Sequence, residues 1–259
     1  MIDLLIDIGN SRIKLALVDN HDYEYLGAFP TTEIRSEASA HAFLQKLDFN
    51  PEHIYISSVA NPALEMELRT VIASKWNILP VFMSTQATCC GITNGYQHAF
   101  KLGVDRWMAL MGAQTFTHDS FIVIDSGTAL TVDSVYEGKH QGGFIVPGLQ
   151  TLRSSLMHKT AQLDETCTTL EPISEVNREV DFLARDTQSA ICGGTLYMVA
   201  SFINQVIFDI QAKLDQPVKV YFTGGDGQLL SGLIDVQSEY IEDLVLLGIF
   251  NVKENIKKG

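Results

Sequence analysis

Two stretches of the chain carry the same chemistry. Residues 4–18, LLIDIGNSRIKLALV, and residues 121–135, FIVIDSGTALTVDSV, each run an apolar strand into an aspartate, then a glycine and a small polar residue, then a second apolar strand. Glycine permits backbone conformations closed to other residues, so turns at Gly9 and Gly127 can aim amides at an anion. Asp7, at the end of the first strand, is placed to hold Mg2+ directly or through water, and Lys14 could bring a point charge to a phosphate. Asp125, Gly127 and Thr128 repeat the device. One such turn alone reads as an ordinary polar hairpin; two of them, one near the start of each half, could grip a single polyphosphate from opposite sides. A third glycine turn, Gly224 and Gly225 with Asp226, follows an apolar strand and precedes a helix, a suitable place for nucleotide phosphate or adenosine. Neither a Walker A sequence nor a GxGxxG turn is present, so P-loop and Rossmann readings lose. In GVDRWMALMGA (103–113), Asp105 and Arg106 open an apolar helix, where a carboxylate is more often a cap than a catalyst.

Such turns need rigid elements to hold them. After the first pair of strands, residues 23–29 read as a third. An amphipathic helix near 36–47 then places Phe43, Leu44 and Leu47 on one face. A strand at 54–57, a helix opened by Asn61 as cap and Pro62 at its first position, and a short strand at 81–83 complete the first half. The second half repeats the order: strands at 121–124, 130–136 and near 144–146, helices over much of 148–160 and 184–213, a strand at 218–222, and a last helix from about 243 to 254. The expected fold is α/β, with two similar domains, 1–115 and 116–259, each a mixed sheet flanked by helices, facing each other across a cleft. No Pro/Gly/Ser-rich linker separates them, so their connection should be short and close-packed.

Composition narrows the partners. A net charge of −13 with 18 basic residues argues against a nucleic-acid or anionic-membrane surface, both of which need a basic footprint. No apolar run approaches the roughly 20 residues that span a bilayer, and the acidic start MIDLLIDIGN is unlike a signal peptide, so a cytoplasmic location is expected. Cys89, Cys90, Cys167 and Cys192 lack metal-ligand spacing and read as reduced, buried thiols. His98, His118, His140 and His158 read as ordinary surface or packing residues, Met108 and Met111 as core, and the tail 253–259 as a solvated end. Gly193 and Gly194 interrupt a helical pattern at about 1 kcal/mol each, which suggests close helix packing, at a dimer contact, ahead of a ligand-facing role.

The ordered motifs DIGNSRIK (7–14), GVDR (103–106), DSGTALTVD (125–133), GGFIVPG (142–148) and TGGDG (223–227) resemble those of the type III pantothenate kinases, also described as Bvg accessory factor homologues. These belong to the acetate and sugar kinase/Hsp70/actin superfamily. The resemblance spans nearly the whole chain and implies two RNase H-like (actin-like ATPase) domains, a homodimer, and ATP-dependent phosphorylation of the primary hydroxyl of pantothenate, the first step of coenzyme A synthesis. It assigns ATP phosphates to Asp7, Ile8, Gly9, Asn10, Ser11, Arg12, Ile13 and Lys14, with a further contact from Thr128. It makes Asp105 the proton acceptor and puts Gly103, Val104 and Arg106 along the pantothenate site, with Tyr96 and Thr187 at positions that touch substrate. Asp125 would hold a monovalent cation, K+ or NH4+, beside Mg2+. Ser11 stands where Thr is commoner in the family but keeps the hydroxyl, and Val104 stands where a smaller residue is common. The rivals are a related superfamily kinase acting on a sugar or acetate, which should not need the Gly-x-Asp-Arg segment, and a non-enzymatic ATP-binding transcriptional accessory protein.

Overall fold

Alternating apolar residues make β1 (Ile2–Ile8), β2 (Arg12–Asp19) and β3 (Asp22–Pro30) an antiparallel meander, to which β4 (His53–Ser58) and β5 (Val81–Phe82) add in parallel, giving the order β3-β2-β1-β4-β5. The computed structural model describes residues 2–34, 36–60, 62–159 and 183–256. In the second half, β8 (Phe121–Ser126), β9 (Ala129–Tyr136) and β10 (Lys139–Pro147) repeat the meander, and β11 (Lys219–Thr223) and β12 (Glu239–Tyr240) repeat the parallel addition. The internal echo in the sequence is thus an echo of topology: each glycine turn joins the first two strands of its meander.

Helices α1 (Glu37–Gln45) and α2 (Pro62–Trp76) cover the outer face of the first sheet, where Phe43, Leu44, Leu68, Val71 and Ile72 are buried against Leu4, Ile6, Ile54 and Ile56. Ser36 and Ser39 cap α1 reciprocally, which stabilises a helix start by about 1 kcal/mol. On the far side of the second sheet, α4 (Leu149–Lys159) and α5 (Thr187–Leu214) pack Leu149, Leu196, Val199, Ile203 and Ile207 on Ile122, Ile124, Leu130 and Val220. The short α6 (Gly227–Ser231) adds Leu230 to the same core. Averaged over 18 residues, α5 reaches a mean hydropathy of 1.5 and is long and apolar enough to cross a membrane, although no unbroken apolar run suggested it; these buried residues make it a core helix.

Between the two sheets lie α3 (Val104–Ala113) and α7 (Leu244–Ile256). Their core joins Leu5, Ala16 and Val18 of one sheet to Phe121, Val123, Val135 and Tyr221 of the other. The helices touch backbone to backbone: a Cβ on Gly112 would strike the Leu244 carbonyl, and one on Gly248 the Met108 carbonyl. Met108 and Met111 are fully buried here, as expected.

The halves also exchange pieces. A hairpin of β6 (Thr88–Cys89) and β7 (Ile92–Thr93), which periodicity does not reveal, extends the second sheet through β10. Lys253, expected in a solvated tail, is instead fully buried, its Nζ 2.8 Å from Asp3 Oδ2 at the start of the first sheet. Two more expectations change. Cys89 and Cys90 are only half-buried, whereas Cys192 is buried. His140 is fully buried and hydrogen-bonded. Gly193 and Gly194 sit on an exposed face with no neighbour among the described residues that an added Cβ would meet, so any packing on them comes from outside those residues. The expectations for Asn61, Cys167 and the last three residues fall outside the described residues.

Candidate active site between the paired hairpins

The β1–β2 and β8–β9 turns meet. Ser11 Oγ and Thr128 Oγ1 lie 2.9 Å apart, although each belongs to a different sheet. Each turn is closed by its own glycine amide, Gly9 to the Arg12 carbonyl at 3.0 Å and Gly127 to the Ala129 carbonyl at 2.9 Å. Those two amides therefore brace their hairpins rather than point at a ligand, and the anion-facing groups must come from the rest of each turn. The third glycine turn closes the ring. Gly224 adopts a φ of +86°, and a Cβ there would fall 2.5 Å from Asp125 Oδ1, so both the conformation and the close approach need glycine. Gly225 lies against the Arg12 guanidinium, since its added Cβ would come within 3.7 Å of the Arg12 Cζ.

Three carboxylates and one ammonium share this space. Burial pushes Asp7 up to about 7, with Lys14 pulling it down and Asp105 and Asp125 adding to the rise. Burial likewise pushes Asp125 up to about 6, against Lys14 and with Asp105 and Asp133. Asp105 is raised by burial too, against the Arg106 backbone amide, which donates to its Oδ1 at 2.7 Å, and the Arg106 charge. Gly103 precedes α3, and a Cβ there would sit 2.6 Å from that same Oδ1, so glycine makes room for the carboxylate. Lys14 reaches across to the Glu242 carbonyl, and Tyr25 and Tyr23 donate to Glu242 Oε1 and Asp243 Oδ2 at 2.9 and 2.6 Å. The first meander is thereby pinned to the second half at residues 242–243.

In the first turn of α3, Arg106 is buried. Its Nη1 donates to Tyr96 Oη at 2.9 Å, and its Nε and Nη2 donate to Asp133 Oδ2 and Oδ1 at 2.7 and 2.6 Å. The structure therefore gathers Asp7, Ser11, Lys14, Asp125, Thr128 and Gly224 around one space and links Tyr96 to Arg106 beside Asp105. Ile8 and Ile13 are core residues, so only their backbone could meet a ligand, while Asn10 and Arg12 are exposed at the turn and Val104 packs at the core edge. Thr187 stands exposed at the start of α5, and no hydrogen bond among the described residues joins it to Tyr96, Asp105 or Arg106. Sequence reasoning missed Glu242, Asp133 and His140; only Asp133, closing the second motif, carried a signal.

The sequence profile of the type III pantothenate kinases matches residues 3–209. The chain belongs to that family. A type III pantothenate kinase from Hydrogenovibrio crunogenus is 38% identical over 98% of this chain and 99% of its own length. Another from Nitrosococcus oceani is 32% identical over 98% and 95%. Among solved structures, a Baf family protein from Campylobacter jejuni is 25% identical with a TM-score of 0.57, covering 98% of this chain and 99% of that one. MreB 5 of Spiroplasma citri bound to AMPPNP superposes with a TM-score of 0.53 over 99% of this chain and 97% of that one at 8% identity, a likeness of fold alone. The actin-like fold of a type III pantothenate kinase is thus what brings the two acid-tipped turns together.

Proposed function

We propose that the chain transfers the γ-phosphoryl group of ATP to the primary hydroxyl of pantothenate, the first step of coenzyme A synthesis. The observation that carries this reading is the meeting of Ser11 and Thr128 at 2.9 Å in a chain of this family, with Asp105 beside the same space. Phosphoryl transfer asks a protein chiefly for alignment and charge neutralisation. Residues 7–14 and Thr128 hold the phosphates from two sides, and Gly224 and Gly225 offer a backbone floor for the nucleotide. Asp105 accepts the proton of the attacking hydroxyl; burial raises its affinity for that proton, which suits a base. Arg106 and Tyr96 orient pantothenate, with Gly103 and Val104 along its path. Thr187 belongs to this set through the family resemblance.

Cations fit the site. Asp7 and Asp125 each feel the charge of Lys14 and of Asp105, an excess of negative charge that a cation relieves. Asp7 would hold Mg2+ through waters and phosphate oxygens. Asp125 would hold K+ or NH4+. When bound, these ions neutralise charge on the transferring phosphates.

The protein acts as a homodimer in this reading. Met198 and Phe208 of α5 are 50% and 65% exposed, an apolar surface that a second copy could cover. The net charge of −13 suits a cytoplasmic enzyme of small molecules that binds neither nucleic acid nor membrane. Incubation with ATP, Mg2+ and K+ should add one phosphoryl group to pantothenate, read by mass spectrometry. Phosphorylation of a sugar or acetate in its place would favour the rival kinase reading.

A further inference from the structure

Two motif residues lie apart from the reacting groups: Asp133, the last of DSGTALTVD, and Gly143, the second of GGFIVPG. A third, His140, reads in sequence as an ordinary histidine. All three meet behind Arg106.

Asp133 is buried on β9, and its carboxylate accepts three hydrogen bonds. Arg106 Nε reaches Oδ2 at 2.7 Å, while Arg106 Nη2 and His140 Nε2 reach Oδ1 at 2.6 and 2.8 Å. His140 is fully buried and its Nδ1 has no partner among the described residues. A hydrogen on Nδ1 would be an unsatisfied buried donor, so the ring carries its hydrogen on Nε2 and donates to Asp133. The same ring stacks on Tyr96, with centroids 5.8 Å apart and planes 18° from parallel, and Tyr96 Oη accepts from Arg106 Nη1. The four side chains form a closed loop in which each of Arg106 and Tyr96 is held from two directions.

The backbone is shaped for this loop. The register of β10 shifts between His140 and Gly142, so that Gly143 stands opposite Asp133. A bulge adds one residue to a strand and re-aims the side chains beyond it, and here it turns Gly143 to the side of Asp133 that His140, paired with Val135, already occupies. A Cβ on Gly143 would fall 2.6 Å from Asp133 Oδ1 and 2.8 Å from Arg106 Nη2. Glycine at this position leaves the room that the fork occupies.

We propose that Asp133 and His140 are positioning residues for the substrate site: they lock the Arg106 guanidinium and the Tyr96 ring in one orientation toward pantothenate. An arginine has five N–H donors in a rigid plane. Three are engaged by Asp133 and Tyr96, so the plane is fixed and the remaining donors point one way. Bidentate pairing of this kind sets orientation as well as attraction. The inference rests on the reading that Arg106 and Tyr96 contact pantothenate.

Steady-state kinetics on four variants test it. Asp133→Asn puts an amide N–H among donors, and His140→Phe keeps the stacked ring but removes the donor to Asp133. Both should raise the KM for pantothenate, Asp133→Asn by roughly tenfold or more, as loss of a charged hydrogen-bond partner does, with the KM for ATP within about twofold. His140→Gln, whose amide can still donate, should return the pantothenate KM toward wild type. A merely structural role would not produce that selectivity or that rescue. If Asp133→Asn fails to fold, the His140 pair carries the test, with thermal melts to establish folding. Arg106→Ala separates the layers. Should it raise the pantothenate KM while folded His140→Phe keeps the wild-type value, the positioning role is overturned. Should Arg106→Ala itself leave that KM unchanged, the substrate-site reading fails and this inference falls with it.

Discussion

Ser11 and Thr128 are 117 residues apart in the chain, yet their hydroxyls lie 2.9 Å from each other. Each hydroxyl ends a turn fixed by its own sheet, so the contact measures how the two halves are set against each other. A triphosphate bound there would exchange this bond for contacts to its oxygens. Ser11→Ala and Thr128→Ala should each raise the KM for ATP by about three- to tenfold, the range of one net hydrogen bond. Because the two groups touch, the double variant should fall short of the product of the single effects. Full additivity in steady-state kinetics would mean that they serve separate sites.

Asp105→Asn removes the proposed proton acceptor while keeping its shape. Turnover should fall by about 10²–10⁴, with an unchanged melting temperature and a KM for ATP near wild type. A variant with wild-type turnover would take the base role away from Asp105.

The carboxyls at the hairpin ends give the ligand-free protein a distinctive pH response. Asp7 and Asp125 are held up to about 7 and about 6 by burial, against an ordinary value of about 4 in the unfolded chain. The folded state therefore binds more protons than the unfolded state between those limits, and the contribution of each group to stability is lost as pH rises through the window. Asp7→Asn should remove part of that slope. Thermal melts of both proteins from about pH 5 to about pH 8 should show the variant gaining stability relative to wild type toward the alkaline end. A difference that shrinks or reverses with rising pH would contradict the assigned field.

Much of this was legible in the chain because its punctuation is strong. Apolar strands that stop at Asp and resume after Gly announce both hairpins, and the succession of strands and helices after each hairpin announces both sheets. What escaped was non-local or short. Two-residue strands such as β6 and β7 show no period, so their attachment to the second sheet could not be read. Lys253 belongs by sequence to a charged tail, but its partner Asp3 lies at the other end of the chain. His140 and Asp133 are near in sequence, yet only the pairing of His140 with Val135, two residues from Asp133 on β9, brings them to one side. Lys14 was legible as a cation near phosphate but not as a strut to the Glu242 carbonyl.

The α3–α7 crossing should be intolerant of any side chain. Gly248→Ala places a methyl group against the Met108 carbonyl, and overpacking of this kind costs about 1–3 kcal/mol. The melting temperature should fall by several degrees. An unchanged melt would show that the helices can separate without loss.

The proposed monovalent cation at Asp125 would make turnover depend on K+ or NH4+. In buffer containing neither, the KM for ATP should rise and turnover should fall steeply, and adding K+ should restore both. Equal activity in Na+ alone would remove the cation from Asp125.

The most direct measurement is a coupled assay of ADP release with ATP, Mg2+ and K+ present, run with and without pantothenate. ADP is expected only when pantothenate is added, at a rate that saturates with it and that Asp105→Asn nearly abolishes. Release of ADP at the same rate without pantothenate, or none with it, would contradict the central claim.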